Sequence, residues 1–460
     1  MRITRIRVEG LFGTFNHDIP LNLGPDPITV MIGPNGYGKT TVLRMLHQLV
    51  GGRYRSLAAY PFDLFGVAFD DGGSLEVTAR QSTAPAGDSE DVGTGLGPQL
   101  RLSYAGAQGK VSSHTVPPLD HEEARFAARY IDDYLPHLER VDAARWLDPT
   151  TERELALDEV LAWWGDLLPP LGERRERRPA WIVDLCRRVP VEFIGAHRLL
   201  SHDAATRRGR AAPRRTATYE VTVNAYAREM AGTIERAVAE FAESSQSLER
   251  TFPQRLMDRL AQSAGTPEAA ESLEERLRAL DSKRDLLSEL GLLDQDTAAR
   301  EPKLRPTDTP AEDVLGLYLE DAARKLEYFD RYIPTVRAFT EIINRRFLHK
   351  TFRVAREDGF VIRDRSGLPL LPDQLSSGEQ NELVLFYHLL FRTSPGCLFL
   401  VDEPEISLHV AWQKGYLRDL ADALRAADCY ALVATHSPQI IHDRWDLTVE
   451  LGEPADAGPA

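Results

Sequence analysis

Gly33-Pro34-Asn35-Gly36-Tyr37-Gly38-Lys39-Thr40-Thr41 follows a short apolar run, Ile28-Thr29-Val30-Met31-Ile32, and leads into Thr41–Val50, whose apolar residues recur at helical spacing. Strand, glycine loop and helix in that order make a phosphate cradle. The glycines let successive backbone N–H groups curl around oxygens, and the new helix adds its positive end. In this reading Asn35, Gly36 and Gly38 shape the loop around the phosphates of ATP, and Lys39 reaches the β- and γ-phosphates. The Thr40 hydroxyl ligates Mg²⁺ and Thr41 donates to an α-phosphate oxygen. Tyr37 holds a variable position, where its ring either packs on the nucleotide or is merely tolerated.

Two later segments supply what the loop lacks. Gly396–Pro404 is an apolar run that ends in two carboxylates, as a buried parallel strand with its chemistry at the C-terminal edge. Asp402 is placed to hold the Mg²⁺ shell, and Glu403 to orient or deprotonate an attacking water. Tyr430–Pro438 is a third apolar run and ends at His436. In register with a phosphate loop and an acidic pair, that histidine reads as a γ-phosphate sensor. A further phosphate-reading cluster, Leu375-Ser376-Ser377-Gly378-Glu379-Gln380, lies just ahead of the acidic strand, with a helix expected over Asn381–Phe391.

The spacing of these motifs sets the architecture. The phosphate loop stands near the start of the 460 residues and its partners near the end, so one α/β nucleotide-binding fold is assembled from N- and C-terminal parts around a large insertion. Boundaries are expected at 1–120 and 351–460 for the two parts and 121–350 for a mostly helical insertion, with a strand near 190–196 returning to the head. Ile3–Val8 and His17–Leu23 read as strands, and Leu64–Phe69 with Ser74–Ala79 as a hairpin turned by Asp70-Asp71-Gly72-Gly73. Ala84–Pro98 reads as a flexible loop, and Asp120–Arg188 as helical.

In the insertion, Met230, Ile234, Val238, Phe241, Leu248 and Phe252 form one helical stripe. Leu273, Leu277, Leu280 and Leu287 form another, with Pro253 and Gly265–Pro267 between them. Neither stripe is sustained enough for a long coiled coil, so the helices are expected to pack as an arm or lid. Val314–Phe347 continues the helical pattern with a break or kink at Pro334, and Phe352–Ala355 and Phe360–Arg363 return to strands.

Composition narrows the setting. The net charge of −15, from 70 acidic and 55 basic residues, argues against a wholly nucleic-acid-coating surface. Two local basic runs remain. Glu173–Arg178 alternates sign as a solvated helix face does, while Arg207–Arg215, with five arginines and no acid, is either a phosphate-contacting loop or an exposed one. No apolar run is long enough for a membrane span, and Met1–Arg7 has no secretory character. Cys186, Cys397 and Cys429 are scattered and suit neither a disulfide framework nor a zinc site, which fits a cytoplasmic compartment.

The order of the four motifs resembles the ABC-type ATPases. Leu375–Gln380 is similar to the signature sequence of that class, with Ser377 in place of its first glycine. The resemblance implies a head-to-tail homodimer in which Ser376 and Gly378 of one subunit meet the γ-phosphate held by Lys39 of the other, with higher oligomers open. Asp402–His409 and Ala434–Gln439 resemble the branch holding SMC-like and RecF-like repair proteins and the OLD-like ATPases of bacterial defence. There, Glu405–His409 is implied to cross the dimer seam. Gln81 and His197 are both candidates for the Q-loop of the class.

OLD-like nucleases carry a Toprim domain after the ATPase head, and none is expected in the residues after His436. The pattern is similar to stand-alone ATPase subunits of antiphage systems, as in PARIS with its Toprim-like nuclease or Septu with its HNH nuclease. The resemblance thus implies a sensor or scaffold switch that holds and releases a separate nuclease, triggered by DNA or a phage protein. The alternative is an SMC- or RecF-like repair clamp that binds DNA directly.

Overall fold

The computed structural model describes residues 1–80, 98–118, 121–135, 137–142, 144–149, 153–164, 178–194, 200–202, 219–262, 270–293, 309–408 and 410–452. The chain divides into two compact units, Met1–Ala196 with Thr393–Ala460, and His197–Arg392. The cuts therefore fall near 196 and 392, where the sequence reading places boundaries at 120 and 350.

The first unit is built on a five-stranded parallel sheet. Its order is Val191–Ile194, Leu398–Asp402, Tyr430–Ala434, Ile28–Ile32, Thr448–Glu450. The three inner strands are almost continuously apolar and buried, as parallel strands covered on both faces must be. Register does the functional work here. Asp402 pairs with Ala434 and Ala434 with Met31, so the acidic strand, the histidine strand and the strand feeding the phosphate loop all end on one line. The strand expected near 190–196 is the outer neighbour of the acidic strand.

A six-stranded antiparallel sheet belongs to the same unit, in the order Phe15–Pro20, Ile3–Leu11, Leu64–Phe69, Ser74–Arg80, Gln99–Ala105, Val111–Val116. The expected hairpin over 64–79 is present, with Ala68 paired to Ser74, while the last two strands were not anticipated. Leucines of helix Lys39–Val50 join side chains of both sheets in one buried core.

Asp120–Arg188 is not wholly helical. Between helices His121–Tyr134 and Leu157–Trp164 stands a three-stranded sheet, Glu139–Arg140, Arg145–Asp148 and Arg153–Ala156, around the fully buried Trp146. Strands of two to four residues carry too few alternations to show a period.

In the second unit the two stripes occupy helices Thr222–Gln262 and Ala270–Glu289, with Met230, Ile234, Leu273, Leu280 and Leu287 buried. Pro253 does not end the first helix. It lies on the exposed face, and the Arg255 guanidinium and Thr251 hydroxyl both donate to Leu248 O in the preceding turn. Pro334 sits in the first turn of helix Ile333–Arg346, where a missing N–H is tolerated. Gly359–Asp364 pairs with Lys350–Ala355 on one side and Pro369–Leu370 on the other in a separate small sheet of this unit.

Residues 84–97 of the expected loop, the Arg207–Arg215 run, most of Glu173–Arg178, and both Gln81 and His197 lie outside the described residues.

Candidate functional site

The strand Ile28–Ile32 hands the chain to a loop whose shape depends on two glycines. Gly36 and Gly38 have φ of 88° and 85°, a left-handed region costly for other residues. At Gly38 a Cβ would also come within 2.5 Å of Leu11 Cδ2. Gly38 then serves as the N-cap of helix Lys39–Val50, and Thr40 and Thr41 lie in its first turn.

One anchor of the loop escaped the sequence reading. His17, 2% exposed, places Nε2 2.8 Å from the Tyr37 carbonyl, and the Phe15 ring packs on Tyr37 at 4.9 Å between centroids. Of the two readings for Tyr37, its ring is committed to Phe15. Burial is the leading cause that lowers the His17 pKa, against the backbone bonds to Tyr37 and Asn16. Its signal was present as the apolar side of the alternating strand Phe15–Pro20.

Lys39 turns back over the loop. Its Nζ donates to Gly33 O at 2.7 Å and Pro34 O at 3.0 Å and stands 3.4 Å from His436 Nδ1. Burial lowers its pKa, opposed by the attraction of Glu403, Asp402 and Glu405. The Thr40 hydroxyl donates to Asp402 Oδ1 at 3.0 Å, so the two groups read as Mg²⁺ ligands already face each other. Burial also raises the Asp402 pKa and Glu403 adds to it, while the Thr40 bond pulls the other way. His436 Nε2 lies 3.7 Å from Glu403 Oε1. The fold thus brings Lys39, Thr40, Asp402, Glu403 and His436 into one cluster.

ATP and Mg²⁺ fit these residues. The loop offers a glycine cradle at a helix N-terminus, and the Asp402 carboxylate beside Thr40 lies where burial makes its charge unfavourable without a cation. Lys39, Thr40 and Asp402 would hold the pair, and Mg²⁺ there would stabilise charge on the phosphates.

Ser376 and Gly378 belong to the second unit. The helix there begins at Ser377, earlier than expected, and passes after Tyr387 into a wider π-helical turn, His388–Arg392. Ser376 is its N-cap. Its N–H and hydroxyl both donate to Glu379 Oε2, at 2.9 and 2.8 Å, and Lys350 pairs with Glu379 Oε1. Glu405 of the implied seam segment turns toward its own histidine loop, and His409 lies outside the described residues.

Among the described residues no group of three or more His, Cys, Asp and Glu is placed to hold a metal ion, and no helix is long and apolar enough to cross a membrane. The three cysteines are free thiols.

Residues 245–442 match the family model described as "AAA domain, putative AbiEii toxin, Type IV TA system". That span holds Ser376, Asp402, Glu403 and His436 but not the phosphate loop, and it is less than half of the chain. Among curated proteins, the OLD nuclease of Thermus scotoductus is 39% identical over 63 residues, which are 14% of this chain and 12% of the relative. Protein ea59 of Escherichia phage lambda is 36% identical over 70 residues, 15% of this chain and 13% of ea59. The chain thus spans only about an eighth of the length of these relatives.

Among solved structures, the SMC head domain from Thermotoga maritima aligns over 98% of this chain and 94% of its own, with a TM-score of 0.32 and 10% identity. An SMC head bound to the C-winged helix domain of ScpA aligns over 96% and 91%, with a TM-score of 0.33 and 10% identity. Motif geometry and family model agree at the level of class: residues 245–442 are similar to an AAA-type domain, and the cluster around Thr40 and Asp402 has the layout of a nucleotide-binding site.

Proposed function

We propose that the chain binds and hydrolyses Mg-ATP and uses that cycle as a switch in a bacterial antiphage defence system, holding and releasing a separate nuclease. The observation that carries the chemical half is the convergence of Lys39, Thr40, Asp402, Glu403 and His436 at the aligned ends of three parallel strands. Lys39 and the loop amides bind the phosphates, Asp402 and Thr40 hold the cation, Glu403 orients or deprotonates water, and His436 senses the γ-phosphate. The biological half is supported by the toxin wording of the matched model and by the segment shared with an OLD nuclease. Ser376 and Gly378 would complete the site in a homodimer, each helix N-terminus meeting the γ-phosphate held by the other copy.

Purified chain should turn over Mg-ATP, and Glu403→Gln should bind it while losing about 10²-fold or more in kcat. Normal turnover in that variant would remove Glu403 from the mechanism. For the switch, the tagged chain is recovered from its host with ATP present and nucleic acid removed. A stoichiometric nuclease supports the defence reading, whereas a chain recovered alone that binds added DNA in a salt-sensitive manner supports the clamp.

A further inference from the structure

Glu405, two residues after the acidic pair, makes bonds that the ATPase reading leaves unused. Glu403 has φ 43° and ψ 59°, a left-handed conformation uncommon for a residue with a side chain, and Pro404 follows with its own fixed φ. The backbone therefore doubles back, and the next acid, Glu405, faces the histidine loop. Its Oε1 accepts from the Thr435 hydroxyl at 2.7 Å and from the His436 N–H at 2.9 Å. The Glu403 N–H donates to Ala434 O at 2.9 Å, so residues 403–405 and 434–436 are joined by three bonds.

A second line of bonds backs the first. The fully buried Thr435 also accepts from the Ser437 N–H at 3.0 Å through the same hydroxyl. The Ser437 hydroxyl donates to Gln413 Oε1 at 3.0 Å, and Gln413 Nε2 donates to Leu408 O at 3.3 Å. Glu403 and His436 are thus carried on two short loops tied on both sides.

Electrostatics argues that this tie serves the site. A third carboxylate beside Asp402 and Glu403 adds like-charge repulsion, which its attraction to Lys39 opposes. What the charge supplies is a pair of strong, directional bonds to the loop that carries His436.

We propose that Glu405 is a positioning residue that sets the spacing of Glu403 and His436, acting through Thr435 and the His436 backbone. The inference rests on the ATPase reading. Steady-state Mg-ATP hydrolysis and equilibrium ATP binding are measured for the full chain and for Glu405→Ala, Thr435→Val, Thr435→Ser, His436→Ala and the double variant Glu405→Ala/His436→Ala. Glu405→Ala is expected to lower kcat about tenfold or more while the ATP Kd stays within about threefold. Thr435→Val should follow it, and Thr435→Ser, which keeps the hydroxyl, should restore turnover. Because Glu405 acts through His436, the double variant should be no slower than His436→Ala.

Fully additive losses in the double variant, or a Kd that rises in step with the fall in kcat, would overturn the inference. If Glu405→Ala does not fold, the threonine pair decides, and equal kcat for the Val and Ser variants overturns it as well. A folded parental chain with no Mg-ATP turnover would instead overturn the ATPase reading beneath it.

Discussion

At the scale of single residues, the phosphate loop is held as much from behind as by its own glycines. His17, with Nε2 on the Tyr37 carbonyl, is a buried imidazole whose pKa burial depresses. A depressed folded-state pKa means that the unfolded chain takes the proton more readily. The stability His17 contributes is therefore present above the ordinary histidine value of about 6.5 and lost as pH falls through the lower folded value. Thermal melts of the parental chain should lose stability from about pH 6.5 downward, and His17→Gln should flatten that part of the profile. Parallel profiles would remove His17 as the source.

Gly38→Ala should cost about 1–2 kcal/mol for its left-handed conformation alone and weaken ATP binding, since the new Cβ meets Leu11. Denaturant melts with nucleotide titration check both, and an unperturbed variant counts against the cradle. The motif residues were legible because their chemistry fixes their spacing. His17 was not, and Glu405 was read only as part of the seam segment, because each acts on a backbone group outside its own segment: His17 on Tyr37, Glu405 on His436.

At the scale of elements, the helix that follows Ser376 has an unusual first half. Glu379, Gln380, Asn381 and Glu382 are all buried in succession, each needing a polar partner or a structural reason. Glu382 pairs with Arg346, the two side chains being 1% and 3% exposed, and Glu379 pairs with Lys350. Removing one member of so buried a pair leaves an uncompensated charge. Arg346→Ala should destabilise the second unit by about 3–5 kcal/mol, whereas the apolar double replacement Arg346→Met/Glu382→Leu should recover most of that loss. Equal losses in the two variants, read by urea unfolding, would show that packing rather than charge dominates.

The stripes through Met230 and Leu273 gave these helices away in the sequence, since sustained 3.6-residue periods survive any tertiary context. Pro253 misled because it lies on the exposed face of the helix, where the Glu249 carbonyl that loses its N–H partner is open to water and the helix runs on. The short strands between Glu139 and Ala156 were illegible for a different reason: their position is set by packing around Trp146 rather than by pattern.

At the scale of the whole molecule, the acidic strand, the histidine strand and the phosphate-loop strand are distant in sequence, and sheet register alone makes them one site. That assembly could be anticipated from the motifs, while the cuts near 196 and 392 depend on which elements bury one another. If ATP joins two copies, Glu403→Gln with Mg-ATP should run as a dimer in light-scattering chromatography and as a monomer without nucleotide. Unchanged mass with saturating ATP would defeat the dimer.

The most direct test of the central claim, that Lys39, Thr40 and Asp402 form an ATP site, is calorimetric titration of Mg-ATP into the parental chain and into Lys39→Ala. Saturable binding that weakens about 100-fold or more in the variant is the predicted result. Equal affinity in the two proteins, or no binding by a folded parental chain, would contradict it.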